Sequence, residues 1–187
     1  MTTGPWRDRE TLQAGLDEVR QSPRDVGRLE LIVRRPATGE REALAEGRLD
    51  ARQGLVGDNW IRRGSRSTED GSAHPEMQLT IVNSRAVELL AGSRARWALA
   101  GDQLYVDLEL SVDNLPAGTR LMIGIAVVEV TSVPHNGCRV FAERYGKDAV
   151  RFVNSPTGKQ LRLRGLNAKV VTPGTVRVGD RVAKVEG

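Results

Sequence analysis

Residues 101–110, GDQLYVDLEL, decide the fold class. Leu104, Val106, Leu108 and Leu110 alternate with Tyr105, Asp107 and Glu109, and a period of two belongs to a strand with one buried and one wet face. After the turn DNLPAG, the stretch RLMIGIAVVEVT (120–131) is apolar on both faces, which predicts a strand covered on both sides. Further on, LNAKVVTPGTVRVGDRVAKV (166–185) reads as two β-rich segments joined at a Pro-Gly turn. Upstream, MQLTIV (77–82) predicts a strand and NSRAVELLAG (83–92) a helix, capped by Asn83 or Ser84 and ending at Gly92.

Nearer the N-terminus, GRLELIVRRP (27–36) is a strand stopped by Pro36, and residues 40–58 form a second extended pass. Leu12, Leu16 and Val19 lie at helical spacing within residues 8–20, a short amphipathic helix that packs onto the domain. Residues 65–76 are almost wholly polar and make a surface excursion. Gly-Asp pairs at Gly57, Gly101 and Gly179 sit at expected turns beside β segments. There is no regular strand-helix alternation and no Gly-x-Gly-x-x-Gly after a strand, which argues against a doubly wound sheet. The expected class is mixed and strand-rich, a β-barrel with a few peripheral short helices. Residues 1–26 are read as an N-terminal helical extension and residues 27–187 as the barrel domain.

The chain has 187 residues, 39% hydrophobic and 28% charged, the proportions of a globular domain. No apolar run approaches the roughly 20 residues that cross a bilayer, and the opening residues carry no leader pattern. A single cysteine cannot form an internal disulfide. A cytoplasmic protein without membrane contact is expected. The balance of 28 basic and 24 acidic residues gives a net charge of +4. That excess is spread along the chain, aromatics are few, and no nucleic-acid-binding motif is present, so nucleic acid is not an expected partner. Arg62, Arg63 and Arg66 cluster in NWIRRGSR beside glycine and serine; the cluster is read as an anion pocket or a solvated basic loop.

Cys138 follows the turn VPHNG and precedes Val140, Phe141 and Tyr145 at helical spacing. It therefore falls at the start of a helix, where backbone N–H groups, Arg139 and His135 favour a thiolate. A lone cysteine can equally be a small buried hydrophobe. The turn is a poor place to bury a residue for packing, and Gly137 leaves room for a ligand beside the backbone. A cysteine-histidine nucleophile of hydrolase type lacks an identifiable third residue to orient His135. His74, His135 and Cys138 have the ligand types of a zinc site but no spacing signature. Glu76, projecting from the polar loop, is a candidate proton donor.

In order, GLVGDNW, NLPAGTRLMIG, VEVTSVPHNGC and RGLNAKVVTPGTVRVGDRV resemble the MOSC domain, named for the C-terminal domain of molybdenum cofactor sulfurases. The resemblance runs over about residues 27–185 and implies a strand-rich barrel that binds the molybdenum cofactor or handles sulfur. It implies that Cys138 is a persulfide carrier or a molybdenum ligand, with cofactor contacts from Asp58, Arg62, Arg63, Asn114, His135 and Arg164. It further implies a small-molecule or cofactor ligand, with a redox protein or a sulfur donor as partner. The chain is read as a stand-alone member, without the pyridoxal-phosphate-dependent desulfurase domain of the sulfurases. Pyridoxal phosphate would then be a family association only, since no lysine stands in a Schiff-base setting. The alternatives are a molybdenum-dependent reductase of N-hydroxylated compounds with an external electron donor, and a non-catalytic binding or adaptor domain.

Overall fold

A computed structural model describes residues 6–185. Eleven strands are present among the described residues: β1 (Val26–Arg34), β2 (Glu42–Leu44), β3 (Glu46–Asp50), β4 (Gly54–Leu55), β5 (Leu79–Asn83), β6 (Leu104–Asp107), β7 (Arg120–Ile123), β8 (Ala126–Val130), β9 (Leu166–Thr172), β10 (Gly174–Arg177) and β11 (Arg181–Lys184). Seven of them close on themselves in the order β1-β11-β7-β8-β9-β5-β6, with β6 pairing back onto β1. Closure leaves no free edge in that ring. All its neighbours are antiparallel except β5 and β6, whose parallel pairing is spanned by the Ser84–Ala91 helix and a 3₁₀ segment at Arg94–Ala100. β2 extends β1, and a small sheet of β10, β3 and β4 stands beside the barrel.

Two apolar clusters hold the layers together. Leu29, Ile32, Leu79, Ile81, Leu104, Val106, Leu121 and Val128 fill the barrel interior. Leu12, Leu16, Val19, Leu90, Tyr105, Phe141, Tyr145 and Phe152 form the second cluster, between helices and the outer barrel wall. Each fully buried aliphatic side chain contributes about 1.5–3 kcal/mol relative to exposure.

The predicted strand-rich barrel with short helices is what the chain forms, with four local differences. Regular pairing in 101–110 is limited to β6, and Tyr105, expected on a wet face, is fully buried because the helical layer covers the outside of β6. Residues 120–131 are a hairpin turning at Gly124 and Ile125; its outer face reaches solvent at Met122 and Ile125, so it is not covered on both sides. Residues 166–185 make three strands, because after Pro173 the chain leaves the barrel as β10 and returns as β11. The helix over 8–20 is interrupted at Gly15, leaving Arg9–Ala14 and Leu16–Arg20 with Leu12, Leu16 and Val19 all buried. Asn83 is the N-cap of the Ser84–Ala91 helix and accepts from Ala86 N, and Gly92 ends it in the left-handed region.

The chain segments that follow β1 and β8 and those that precede β6 and β9 carry Arg35, His135, Asp102 and Arg164. Among the described residues no helix is long and apolar enough to cross a membrane.

Candidate functional site

Two buried aspartates organise the site, and each follows a glycine of positive φ. Gly57 (φ 83°) turns the chain so that Asp58 faces inward. Its Oδ2 accepts from Arg35 N at 2.9 Å and Nε at 2.8 Å, and its Oδ1 accepts from Arg35 Nη2 at 2.8 Å and Trp60 N at 3.0 Å. Arg35 then donates from Nη1 to Gly101 O at 2.9 Å, joining this turn to the next. A glycine fits at 57 because φ > 0 is strained for other residues.

Gly101 (φ 85°) does the same for Asp102, which is completely buried. Arg164 Nη1 lies 2.9 and 2.7 Å from the two carboxylate oxygens, and Arg164 Nη2 donates to Ala100 O at 3.0 Å. His135 Nε2 lies 2.9 Å from Asp102 Oδ1. Burial, the largest effect, pushes the Asp102 carboxyl up, but the Arg164 charge and the His135 hydrogen bond hold it well below the usual carboxylate range. For His135 the result is opposite. Burial and then Arg164 push its imidazole below the ordinary value, outweighing Asp102. A neutral His135 therefore donates Nε2–H to Asp102, and Arg164 supplies the charge that balances the carboxylate. The other ring nitrogen, Nδ1, makes no hydrogen bond among the described residues and is not fully buried.

Between these anchors lies a cleft of about 340 Å³. Arg35, Arg41, Arg63, Arg144 and Arg164 line it, with no aspartate or glutamate. Arg35 and Arg164 have their carboxylates behind them. Among the described residues Arg41, Arg63 and Arg144 have none within ion-pair distance, so the cleft carries an excess of three positive charges. Burial, then the repulsion of Arg144 and Arg35, lowers the Arg41 pKa. The four buried side-chain polar atoms that lack a hydrogen-bond partner among the described residues are Arg41 Nε, Asn59 Oδ1, Arg164 Nε and Asn167 Oδ1, all on residues of this cleft. Such atoms are expensive to leave unpaired, and their clustering sets this cleft apart from the rest of the described structure.

Cys138 lines the same cleft, is exposed, and stands at the N-cap of the Arg139–Tyr145 helix without a side-chain capping bond. The buried-filler reading is thereby set aside. The turn before it is clamped by Asn154, whose Oδ1 accepts from Gly137 N and whose Nδ2 donates to Gly137 O, both at 2.9 Å. Gly137 serves this packing: a Cβ there would meet Val153 Cγ2 at 2.8 Å. The structure thus brings Arg63, His135, Cys138 and Arg164 together, with Asp58 directly behind Arg35.

Arg62 and Asn114 are not brought to the cleft. Arg62 is exposed and caps Pro36 O at 2.8 Å. Asn114 is buried in its own turn, donating to Arg24 O and Glu109 O and accepting from Lys184. Glu76 pairs with Lys169 at 2.8 Å and does not line the cleft either. His74 caps the Pro75–Met77 turn, and no group of three metal-ligating side chains occurs among the described residues, so the zinc arrangement of His74, His135 and Cys138 is not formed. Sequence reasoning missed Arg35, Arg41, Asn59, Asp102, Arg144 and Asn167. For Asp102 the signal was available, because it repeats the Gly-Asp step of Asp58.

The family model for the MOSC domain matches residues 68–183. No curated protein matches the sequence. Among solved structures, the fold resembles the YUAD protein from Bacillus subtilis (TM-score 0.62, 16% identity, covering 86% of this chain and 97% of that one). YiiM from Escherichia coli (TM-score 0.55, 20% identity, 86% and 70% covered) and YiiM from Geobacillus stearothermophilus (0.57, 16%, 86% and 75%) are also similar.

Proposed function

We propose, for a chain that belongs to the MOSC domain family, that the arginine-walled cleft receives the molybdenum cofactor and that Cys138 offers it a single thiolate as metal ligand. The family is associated with binding of that cofactor. The observation that carries the reading is the combination of three uncompensated arginines, four unpaired polar atoms and an exposed thiol around one cleft. Arg41, Arg63 and Arg144 would hold the anionic phosphate, where guanidinium groups give directional, charge-assisted hydrogen bonds. Asn59 and Asn167 also line the cleft, each with a buried Oδ1 that has no hydrogen-bond partner among the described residues. Bound there, the cofactor supplies two-electron redox chemistry at its metal.

The protein's own contribution is positional. Asp102 fixes His135 with its proton on Nε2, so Nδ1 can accept a proton from a group in the cleft. The Asn154 clamp holds the turn that carries Cys138. A thiol that belongs to no group of three metal-ligating side chains among the described residues suits a metal that arrives already held by an organic ligand.

The test is molybdenum and pterin content of protein purified from a host that makes the cofactor, beside the Cys138→Ser and Arg41→Ala variants. Stoichiometric molybdenum in the parent, lost in Cys138→Ser, supports the assignment. If parent and variant are equally empty, the cofactor reading falls, and mass spectrometry for an added sulfur on Cys138 decides whether the thiol is a persulfide carrier.

A further inference from the structure

His135 and Arg164 form a wall with two sides. Across it from the arginine-rich cleft lies another of about 490 Å³, and both residues line the two of them. This volume falls in the range of small-molecule sites. Apolar side chains of Val112, Pro116, Val133, Val153 and Leu166 line it. Lys159, Arg162 and Arg164 line it too, with no aspartate or glutamate among the lining residues.

Arg162 is the unusual member. It is the one non-glycine residue with positive φ among the described residues, at 48°. Side chains other than Gly, Asn and Asp enter that region at a cost and persist there where the surroundings impose it. Its guanidinium is half-buried, donates to Leu115 O at 2.6 Å, and has no carboxylate partner among the described residues. Burial lowers its pKa. Lys159 is exposed and makes no side-chain hydrogen bond or ion pair among the described residues. Two cations without counterions among the described residues thus share one cleft with apolar side chains, together with an arginine whose Nε is unpaired.

We infer that this second cleft binds a small organic carboxylate, its anionic end on Arg162 and Lys159 and its apolar frame against Val133, Val153 and Leu166. His135 then lines both ligand clefts, with its Nε2–H held by Asp102. Use of the site as a substrate chamber rests on the first cleft being the cofactor site; binding of the carboxylate does not.

Benzoate titrated into isotopically labelled protein, followed by amide NMR shifts, tests this directly, with inorganic phosphate as the probe of the first cleft. Benzoate should move the amides of Val133, Lys159 and Gly165, and phosphate those of Asn59, Arg63 and Gly101. Arg162→Gly keeps the left-handed backbone and removes the charge; it should weaken benzoate about tenfold, with phosphate unchanged. Lys159→Ala, on an exposed side chain, should weaken benzoate by about threefold and guards against a folding defect in the first variant. Benzoate shifts confined to the first cleft, or parental benzoate affinity in both variants, would overturn the inference. Benzoate shifts in the second cleft without any phosphate response in the first would uphold it and count against the cofactor reading alone.

Discussion

Replacing Asp102 by asparagine keeps the shape of the side chain and removes one buried charge. In the parent, that carboxylate takes two contacts from Arg164 Nη1, at 2.9 and 2.7 Å, and one from His135 at 2.9 Å, with no exposure to solvent. Asp102→Asn leaves Arg164, itself only 8% exposed, as an unpaired buried cation. Breaking a buried pair from one side costs about 3–5 kcal/mol. For a domain of this size about 1 kcal/mol corresponds to roughly 2–4 °C, so Tm should drop by about 6–20 °C. The pH dependence supplies a second reading. The folded-state pKa of Asp102 is depressed, so its stabilisation is complete above the unfolded value of about 3.9 and is lost as pH falls from there towards the folded pKa. The difference in unfolding free energy between parent and variant should be level above about pH 5 and shrink by up to about 1.4 kcal/mol per pH unit in acid. Urea unfolding followed by circular dichroism across pH measures both. A loss below about 1 kcal/mol at neutral pH, or a difference that does not shrink in acid, would refute the assignment of Asp102 as the counter-charge of Arg164.

Arg41→Ala should leave the stability of the ligand-free protein unchanged or raised, since it removes a desolvated cation repelled by Arg144 and Arg35, while phosphate binding by calorimetry weakens. A Tm that falls sharply in this variant would mean that Arg41 is structural. Asn154→Ala removes both hydrogen bonds to Gly137 and should cost about 1–3 kcal/mol; faster amide exchange at Gly137, with little change in the barrel strands, is the expected signature. Gly165→Ala puts a Cβ 2.4 Å from Ile81 O at a φ of 96°, so the urea midpoint should fall by more than the roughly 1 kcal/mol typical of a tolerated change. Cys138→Ser changes an exposed, unpartnered side chain and should stay within about 0.5 kcal/mol of the parent in the same assay.

The barrel was legible because its strands carry a period of two inside a turn-rich chain. Its details were not, for reasons visible in single residues. Tyr105 sits at a position of the alternation that points away from the barrel interior, and only the packing of Phe141, Tyr145 and the N-terminal helices turns that outside into a second core. Ile125, exposed at the tip of the hairpin, disguised a turn as continuous apolar sequence. At the site, Cys138 and Arg164 stood out by motif, and His135 by rarity. Arg41 and Arg144 carry no local signal at all; 103 positions apart along the sequence, they meet beside the Gly101 turn. Arg62 and Asn114 show the converse: conspicuous beside turn motifs, they hydrogen-bond to the carbonyls of Pro36 and Glu109.

The pairing of β1 with β11 has a consequence for how the chain is made. Six barrel strands leave the ribosome before residues 181–184, yet β1 and β7 find their shared neighbour only when β11 arrives. Until then the nascent ring is an open sheet, unpaired along β7 and at Val26–Arg28 of β1, the condition that invites strand addition from other chains. Truncation just before Arg181 should therefore convert a closed barrel into an aggregation-prone ribbon, although β11 contributes only Val182 to the barrel core. Such long-range closure also places the molecule among slow folders.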